Sequence, residues 1–272
     1  MENKIPDGSK FMLTLKGGIS DGESVRLADL IDQLKAVKDV LNALDKKMIG
    51  AKKPSLFYRV VGMNMNSPAI IEIEAVPQEG KIDVGSRVIR NLISGLKYIN
   101  DGKRPIDADF EVMESFREIA APLKRNLATL SISSNNESVE VSQNIEQRVE
   151  EILGPDQVEI GSVRGSLDLI DLHNKKNLFK IYPIIGAKSI KCHFPDQLLQ
   201  KAVSGLNHFV KVYGEIHTKS NEQFPHFIQI YDIEVLPESS DIPLLSSLRG
   251  FAKGAYLGKS SSDHIIDNRD DW

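Results

Sequence analysis

The single cysteine of the chain, Cys192, is followed directly by His193. A thiol beside an imidazole is the combination from which a nucleophilic catalyst can be built, because the imidazole accepts the thiol proton. Adjacent residues of a β-strand point to opposite faces, however, so the two side chains cannot meet if this segment is a strand. Ile190 and Phe194 share the face of Cys192 and are apolar. The pattern therefore predicts a buried, unreactive thiol.

The histidines and one glycine-rich segment show no recognised catalytic or metal-binding spacing. All six histidines lie from His173 onward, and His217 and His226 flank the last predicted hairpin. A zinc site needs three or four ligands in compatible geometry. Residues 161–165 (GSVRG) lack the lysine of a phosphate-binding loop and precede a strand rather than a helix. We therefore predict no catalytic residue, no metal ligand and no cofactor, and a protein that is not an enzyme.

Composition excludes several classes of protein. The 272 residues are 41% hydrophobic and 26% charged, and the formal net charge is −4, values typical of a globular chain. Such a chain does not coat nucleic acid through bulk positive charge. The sequence contains no apolar run of about 18 residues and no secretory signal, and a single cysteine fits a reducing compartment. We therefore expect a cytoplasmic protein without membrane contact.

The first 154 residues predict an α+β domain. Apolar residues recur every three or four positions from Leu27 to Leu44, which indicates an amphipathic helix. Ser24 is its expected N-cap and Gly50 its expected end. Gly154 and Pro155 mark the domain boundary. The other predicted elements are strands at 11–15, 57–61 and 69–76, helices at 84–99 and 110–123, a hairpin at 127–133 and 138–141, and a helix at 145–153.

Residues 155–241 predict three strands, a helix and two strands, which is the order of elements in an OB-fold, a five-stranded Greek-key barrel. Gly165 and Gly214 lie where a closed barrel needs bends or bulges. The predicted fold class is therefore α+β, an N-terminal α+β domain followed by a five-stranded OB-like β-barrel. Residues 242–272 are predicted to form a C-terminal helix, near 244–251, and a disordered tail.

The outer face of the predicted barrel carries basic and aromatic residues. If the apolar set that includes Val163, Leu167 and Leu169 points inward, the alternate residues point outward. OB-folds bind ligands on this face and with the adjoining loops. Alternatively, the tyrosines of this face pack against the N-terminal domain. The candidate nucleic-acid-binding residues are Arg164, Lys175, Lys176, Lys180, Tyr182, Lys191, Lys211, Tyr213 and Lys219.

The whole arrangement resembles a set of uncharacterised bacterial proteins of similar length, which combine an N-terminal α+β domain with a C-terminal OB-like barrel. The resemblance covers residues 11–238 and implies the fold without implying an activity. The residues that carry it are Ser67-Pro68-Ala69-Ile70-Ile71, Gly165 with Leu167, the strand that bears Cys192, and Val212-Tyr213-Gly214-Glu215.

Two functions follow as expectations. The leading one is a non-enzymatic binding or adaptor subunit that acts with a protein partner in a bacterial multi-gene system. The alternative is single-stranded nucleic-acid binding through the OB-like barrel, which would use the basic and aromatic candidates.

Overall fold

The structure is a computed structural model that describes residues 8–172, 177–186 and 189–237, together with positions 260, 262 and 266. Five α-helices and ten strands in two sheets within these ranges confirm the predicted mixed α+β content. The chain divides into two compact units, one of Met1–Gln157 and Thr218–Phe224, the other of Val158–His217 and Pro225–Trp272. Lys175, Lys176, the predicted helix near 244–251 and nearly all of the predicted tail lie outside the described residues.

The first unit contains an antiparallel five-stranded sheet in the order β2-β3-β1-β4-β5. The alternation of apolar residues in β1 decides which face is buried. Leu13 lies between Ile71 and Ile132 in the register, and all three side chains are fully buried. The preceding residue, Met12, is 45% exposed on the opposite face. The strands are β1 Lys10–Gly17, β2 Leu56–Asn64, β3 Ala69–Pro77, β4 Leu127–Ser134 and β5 Glu137–Glu140.

Four helices share one hydrophobic core with this sheet. They are α1 Leu27–Ile49, α2 Gly85–Asn100, α3 Phe110–Glu118 and α4 Ile145–Leu153. Gly50 ends α1 in the left-handed conformation, as predicted, whereas the N-cap is Arg26 and the prediction of Ser24 is wrong. The helices approach closely at Gly95, where a Cβ atom would lie 2.6 Å from Cζ of Phe116. No helix of the described ranges is long and apolar enough to span a membrane.

The second unit is built on five strands that form a closed ring in the order β10-β8-β7-β6-β9. The pairs β6–β7, β7–β8 and β9–β10 are antiparallel, whereas β8 and β10 run parallel. A short helix, α5 Leu199–Ser204, lies between β8 and β9 in sequence. The ring encloses its own apolar core, which includes Phe179, Cys192 and Phe194. The strands are β6 Asp156–Asp171, β7 Leu178–Tyr182, β8 Ile190–His193, β9 Phe209–Lys219 and β10 Phe227–Val235.

A β-bulge in β6 changes which residues face the core. The register with β7 shifts between Leu167 and Leu169, so that one additional residue, Asp168, reverses the alternation beyond it. Leu167 is fully buried as predicted, but Leu169 is 43% exposed and Ile170 packs against the core instead. The predicted inward position of Leu169 is therefore wrong. Val163, also predicted to face inward, is partly buried against the same core.

Candidate functional site

Two predicted lysines lie directly opposite each other on the outside of the ring. Lys180 of β7 pairs with Lys191 of β8, and neither side chain has an ion pair or hydrogen bond with another residue in the described part of the chain. Lys191 is exposed and Lys180 is half-buried. Like charges directly across an antiparallel pair repel each other. This position therefore favours a ligand that carries negative charge.

Aromatic side chains continue the same row around the ring. Phe227 of β10 pairs with Lys191, and on its other side it pairs with His217 of β9. The ring centroids of His217 and Phe227 lie 5.2 Å apart in an edge-to-face arrangement, a favoured geometry for aromatic pairs. We call Lys180, Lys191, Phe227 and His217 the basic row. It combines cations with flat aromatic faces, the two elements of a single-strand binding site.

Three further predicted residues of the ring are not members of the basic row. Arg164 is exposed on β6, and Tyr182, at the end of β7, pairs with Ser166. Lys211 lies opposite Glu234 on β10, with its Nζ atom 3.7 Å from the carboxylate. The structure thus brings together only part of the predicted candidate set.

Lys219 is predicted as a nucleic-acid-binding residue of the loop between the last two strands, but it is the final residue of β9. Its side chain is buried within the first unit, where Nζ lies 2.8 Å from Oε2 of Glu150 and 3.4 Å from Oδ1 of Asp156. Burial alone would lower the pKa of Lys219, but the hydrogen bond from Lys219 to Glu150 and the charges of both carboxylates raise it. The hydrogen bond from Lys219 in turn lowers the pKa of Glu150. The ammonium group is therefore occupied by protein carboxylates.

The segment that contains Lys219, residues 218–224, is held in the first unit by further bonds. The amide of Ser220 donates to the carbonyl of Pro155 at 2.9 Å, and the Asn221 side chain donates to the carbonyl of Ile152 at 2.8 Å. Arg104 completes the set with an ion pair to Glu222 at 2.6 Å. This segment connects β9 and β10. Its backbone and the Lys219 side chain hold the segment in place through bonds to other residues of the first unit.

Further exposed apolar and aromatic side chains lie on the outer face of the ring, beside the basic row. Tyr213 and Tyr231 are 46% and 48% exposed, and their rings lie 6.3 Å apart edge to face. The Tyr231 hydroxyl donates a hydrogen bond to Glu215, which raises the pKa of Tyr231. On β6, which adjoins β9 in the ring, Val158 and Ile160 are 54% and 66% exposed. We call these five residues the aromatic surface.

The sequence analysis includes Tyr213 among its candidates but misses Val158 and Ile160, because the apolar set used to assign the faces of the barrel begins at Val163. Backbone hydrogen bonds from Leu167 to His208 and from Ser220 to Pro155 connect the two ends of β6 and β9. That register places Ile160 close to Glu215. The alternation of apolar and polar residues at 157–160 was the available signal.

In the part of the chain that the structure describes, Cys192 and His193 lie on opposite faces of β8. Cys192 is a free thiol that is fully buried, as predicted, and burial raises its pKa. His193 contacts Gln229 through Nδ1 at 3.0 Å, on the outer face. Within the described ranges, no three His, Cys, Asp or Glu side chains are grouped so that they could hold a metal ion.

Comparison of the chain with protein-family models and with curated proteins gave no match.

Proposed function

We propose that the second unit is an OB-like barrel and that the protein is a non-enzymatic binding or adaptor subunit, which acts with a protein partner in a bacterial multi-gene system. Support for the barrel assignment comes from the strand order, the single parallel pair between β8 and β10, and the helix between β8 and β9. The proposal includes a cytoplasmic location, which the free thiol of Cys192 favours.

The observation that carries the adaptor function is the aromatic surface. Ile160, the most exposed of its apolar side chains at 66%, lies close to Glu215, which accepts a hydrogen bond from Tyr231, and both tyrosines are nearly half exposed. Isolated apolar residues are common on protein surfaces, but a group of four on neighbouring strands marks an interaction site. Tyrosines contribute disproportionately to protein interfaces, because they bury a large apolar area and keep a polar hydroxyl. The partner expected here presents an apolar centre.

Capture of partners from native cells tests this function with two matched double variants of the full chain. Ile160→Asp/Tyr213→Ala changes the aromatic surface, whereas Lys180→Glu/Lys191→Glu changes the basic row and leaves the aromatic surface intact. We expect wild type and the lysine variant to retain the same protein in stoichiometric amount, and the Ile160→Asp/Tyr213→Ala variant to lose it. Equal retention by all three proteins would reject the aromatic surface as the binding site.

Single-stranded nucleic-acid binding is the second candidate, and the basic row favours it. Lys180 and Lys191 would contact phosphates while Phe227 stacks on a base, a contact that contributes about 1–3 kcal/mol. Two observations limit this candidate. Lys219 is occupied by Glu150 and Asp156, and the net charge of −4 provides no long-range attraction.

A titration of labelled single-stranded DNA and RNA at two salt concentrations separates the two candidates. Binding through two lysines must weaken as salt rises, because each neutralised phosphate releases counterions. Salt-sensitive binding that the Lys180→Glu/Lys191→Glu variant loses and the Ile160→Asp/Tyr213→Ala variant keeps would establish the nucleic-acid function. Absence of binding at low salt would exclude it and leave the adaptor function.

A further inference from the structure

The first unit contains a cavity of about 540 Å³ between α1, α2 and the segment that precedes α3. One wall is a polar row on α2, formed by Arg87, Asn91, Ser94 and Tyr98. Their spacing of four, three and four residues places all four on one face of the helix. The opposite face of α2 is apolar and packs into the core.

The wall that faces this polar row is apolar. Leu44 and Met48, one turn apart on α1, line it together with Val112 of α3 and Ala108. The cavity therefore offers hydrogen-bonding groups on one side and a hydrophobic surface on the other. Small-molecule sites combine a predominantly apolar lining with a few polar groups, in cavities of about 300–1,000 Å³.

Three charged side chains, Lys47, Arg87 and Asp107, line the cavity, and Arg87 is the cation proposed to meet a ligand. Lys47 lies 3.2 Å from the carboxylate of Asp109, which also accepts a hydrogen bond from the Val112 amide at the start of α3. Arg87 is exposed and has no ion pair within the described residues. Its planar guanidinium group can bind a carboxylate through two parallel hydrogen bonds.

The hydroxyl groups of Ser94 and Tyr98 in the polar row can form hydrogen bonds to a ligand. Among the described residues, Ser94 makes only a long hydrogen bond, 3.5 Å, to the carbonyl of Asn91, a distance at which such bonds are weak. The Tyr98 side chain is half-buried, and its hydroxyl has no hydrogen-bond partner in the part of the chain that the structure describes. Both groups can therefore turn to a ligand without breaking a strong bond.

We propose that this cavity binds a small organic carboxylate with an apolar body. Arg87 pairs with the carboxylate, Asn91, Ser94 and Tyr98 provide hydrogen bonds, and the apolar body packs against Leu44 and Met48. The site lies entirely in the first unit and is independent of the aromatic surface and the basic row of the second.

The test is titration of the full chain with arylalkyl carboxylates from benzoate to 5-phenylvalerate, each beside its neutral amide, monitored by ligand-observed NMR. At the binding free energy per non-hydrogen atom that is typical of ligands, a probe of this size binds with a dissociation constant of about 1 mM. We expect the carboxylates of the panel with the longer apolar chains to reach saturable binding in this range, and their amides to bind at least about tenfold more weakly.

Two substitutions on the same helix locate the site. Arg87→Gln should weaken carboxylate binding at least about tenfold, whereas Arg90→Gln, one turn along and outside this cavity, should leave it unchanged. Met48→Trp, which fills the cavity, should abolish binding of both carboxylate and amide, with circular dichroism to verify the fold. Absence of saturable binding by every member of the panel would overturn the proposal, as would equal affinities of wild type and Arg87→Gln.

Discussion

Replacement of Asp45 by alanine should destabilise the first unit strongly, because this carboxylate fixes the start of an edge strand to α1. Asp45 is fully buried. Its Oδ2 atom accepts hydrogen bonds from the amides of Ser55 at 2.6 Å and Leu56 at 2.9 Å, and Oδ1 accepts one from the Ser55 hydroxyl at 2.7 Å. Alanine removes the acceptor of all three.

The expected cost follows from the donors left behind. Each buried donor without a partner costs about 1–3 kcal/mol, and the Ser55 hydroxyl can rotate toward another acceptor, whereas the two amides cannot. Removal of a desolvated charge offsets part of this cost. We therefore expect a loss of about 3 kcal/mol in the free energy of unfolding of the first unit, which corresponds to a fall of roughly 6–12 °C in its melting temperature.

Scanning calorimetry and urea denaturation followed by circular dichroism measure this loss. Calorimetry is needed because two compact units can unfold in separate transitions. The matched control is Asp39→Ala, an exposed carboxylate on the same helix, which should change stability by less than about 0.5 kcal/mol. If Asp45→Ala cost no more than Asp39→Ala, the three short hydrogen bonds would not be holding the strand as described.

Three further outcomes are expected. Gly214→Ala should abolish the cooperative melting of the second unit, because its Cβ atom would lie 2.0 Å from the carbonyl oxygen of Gln229; a normal calorimetric transition would contradict this. Cys192→Ala should retain partner binding and lose on the order of 1 kcal/mol of stability through a small cavity, as measured by denaturation and capture. Glu150→Gln should speed tryptic cleavage after Lys219 several-fold at neutral pH, because it removes the carboxylate charge that holds the Lys219 ammonium group. The pKa of Glu150 is lowered on folding, so its stabilisation is present above about pH 4.5 and is lost as pH falls through the folded-state value.

Local periodicity predicted the helices and strands well, because a side chain's position on a helix face or strand face depends on its near neighbours. The burial of Leu13 and Cys192 follows from such patterns. The bulge at Asp168 has no comparable signal, since it depends on how β7 pairs with β6, and the exposure of Leu169 cannot be predicted from alternation alone.

 The exposure of Leu169 is therefore a result of strand pairing, which the structure supplies.

The site was harder to predict than the fold, because its residues come together through contacts that are distant in sequence. Lys219 meets Glu150 across 69 positions, and nothing near Lys219 in the sequence indicates that its charge is neutralised. Lys180 and Lys191 could be placed on the outer face by alternation, but their direct opposition depends on the register of β7 and β8. The cavity beside Arg87 is formed by three helices and likewise has no local signature.

The turn at 218–224 makes the first unit discontinuous along the chain, and this has a consequence for biosynthesis. A ribosome adds about 5–20 residues per second, so this turn is made roughly 3–13 s after residue 157. During that interval Glu150 and Arg104 lack Lys219 and Glu222, the partners that they have in the finished protein. The nascent N-terminal segment therefore waits, with Arg104 lacking Glu222 and with Glu150 bound to Arg117 but not to Lys219, for a piece of chain that follows residues 158–217 of the second unit.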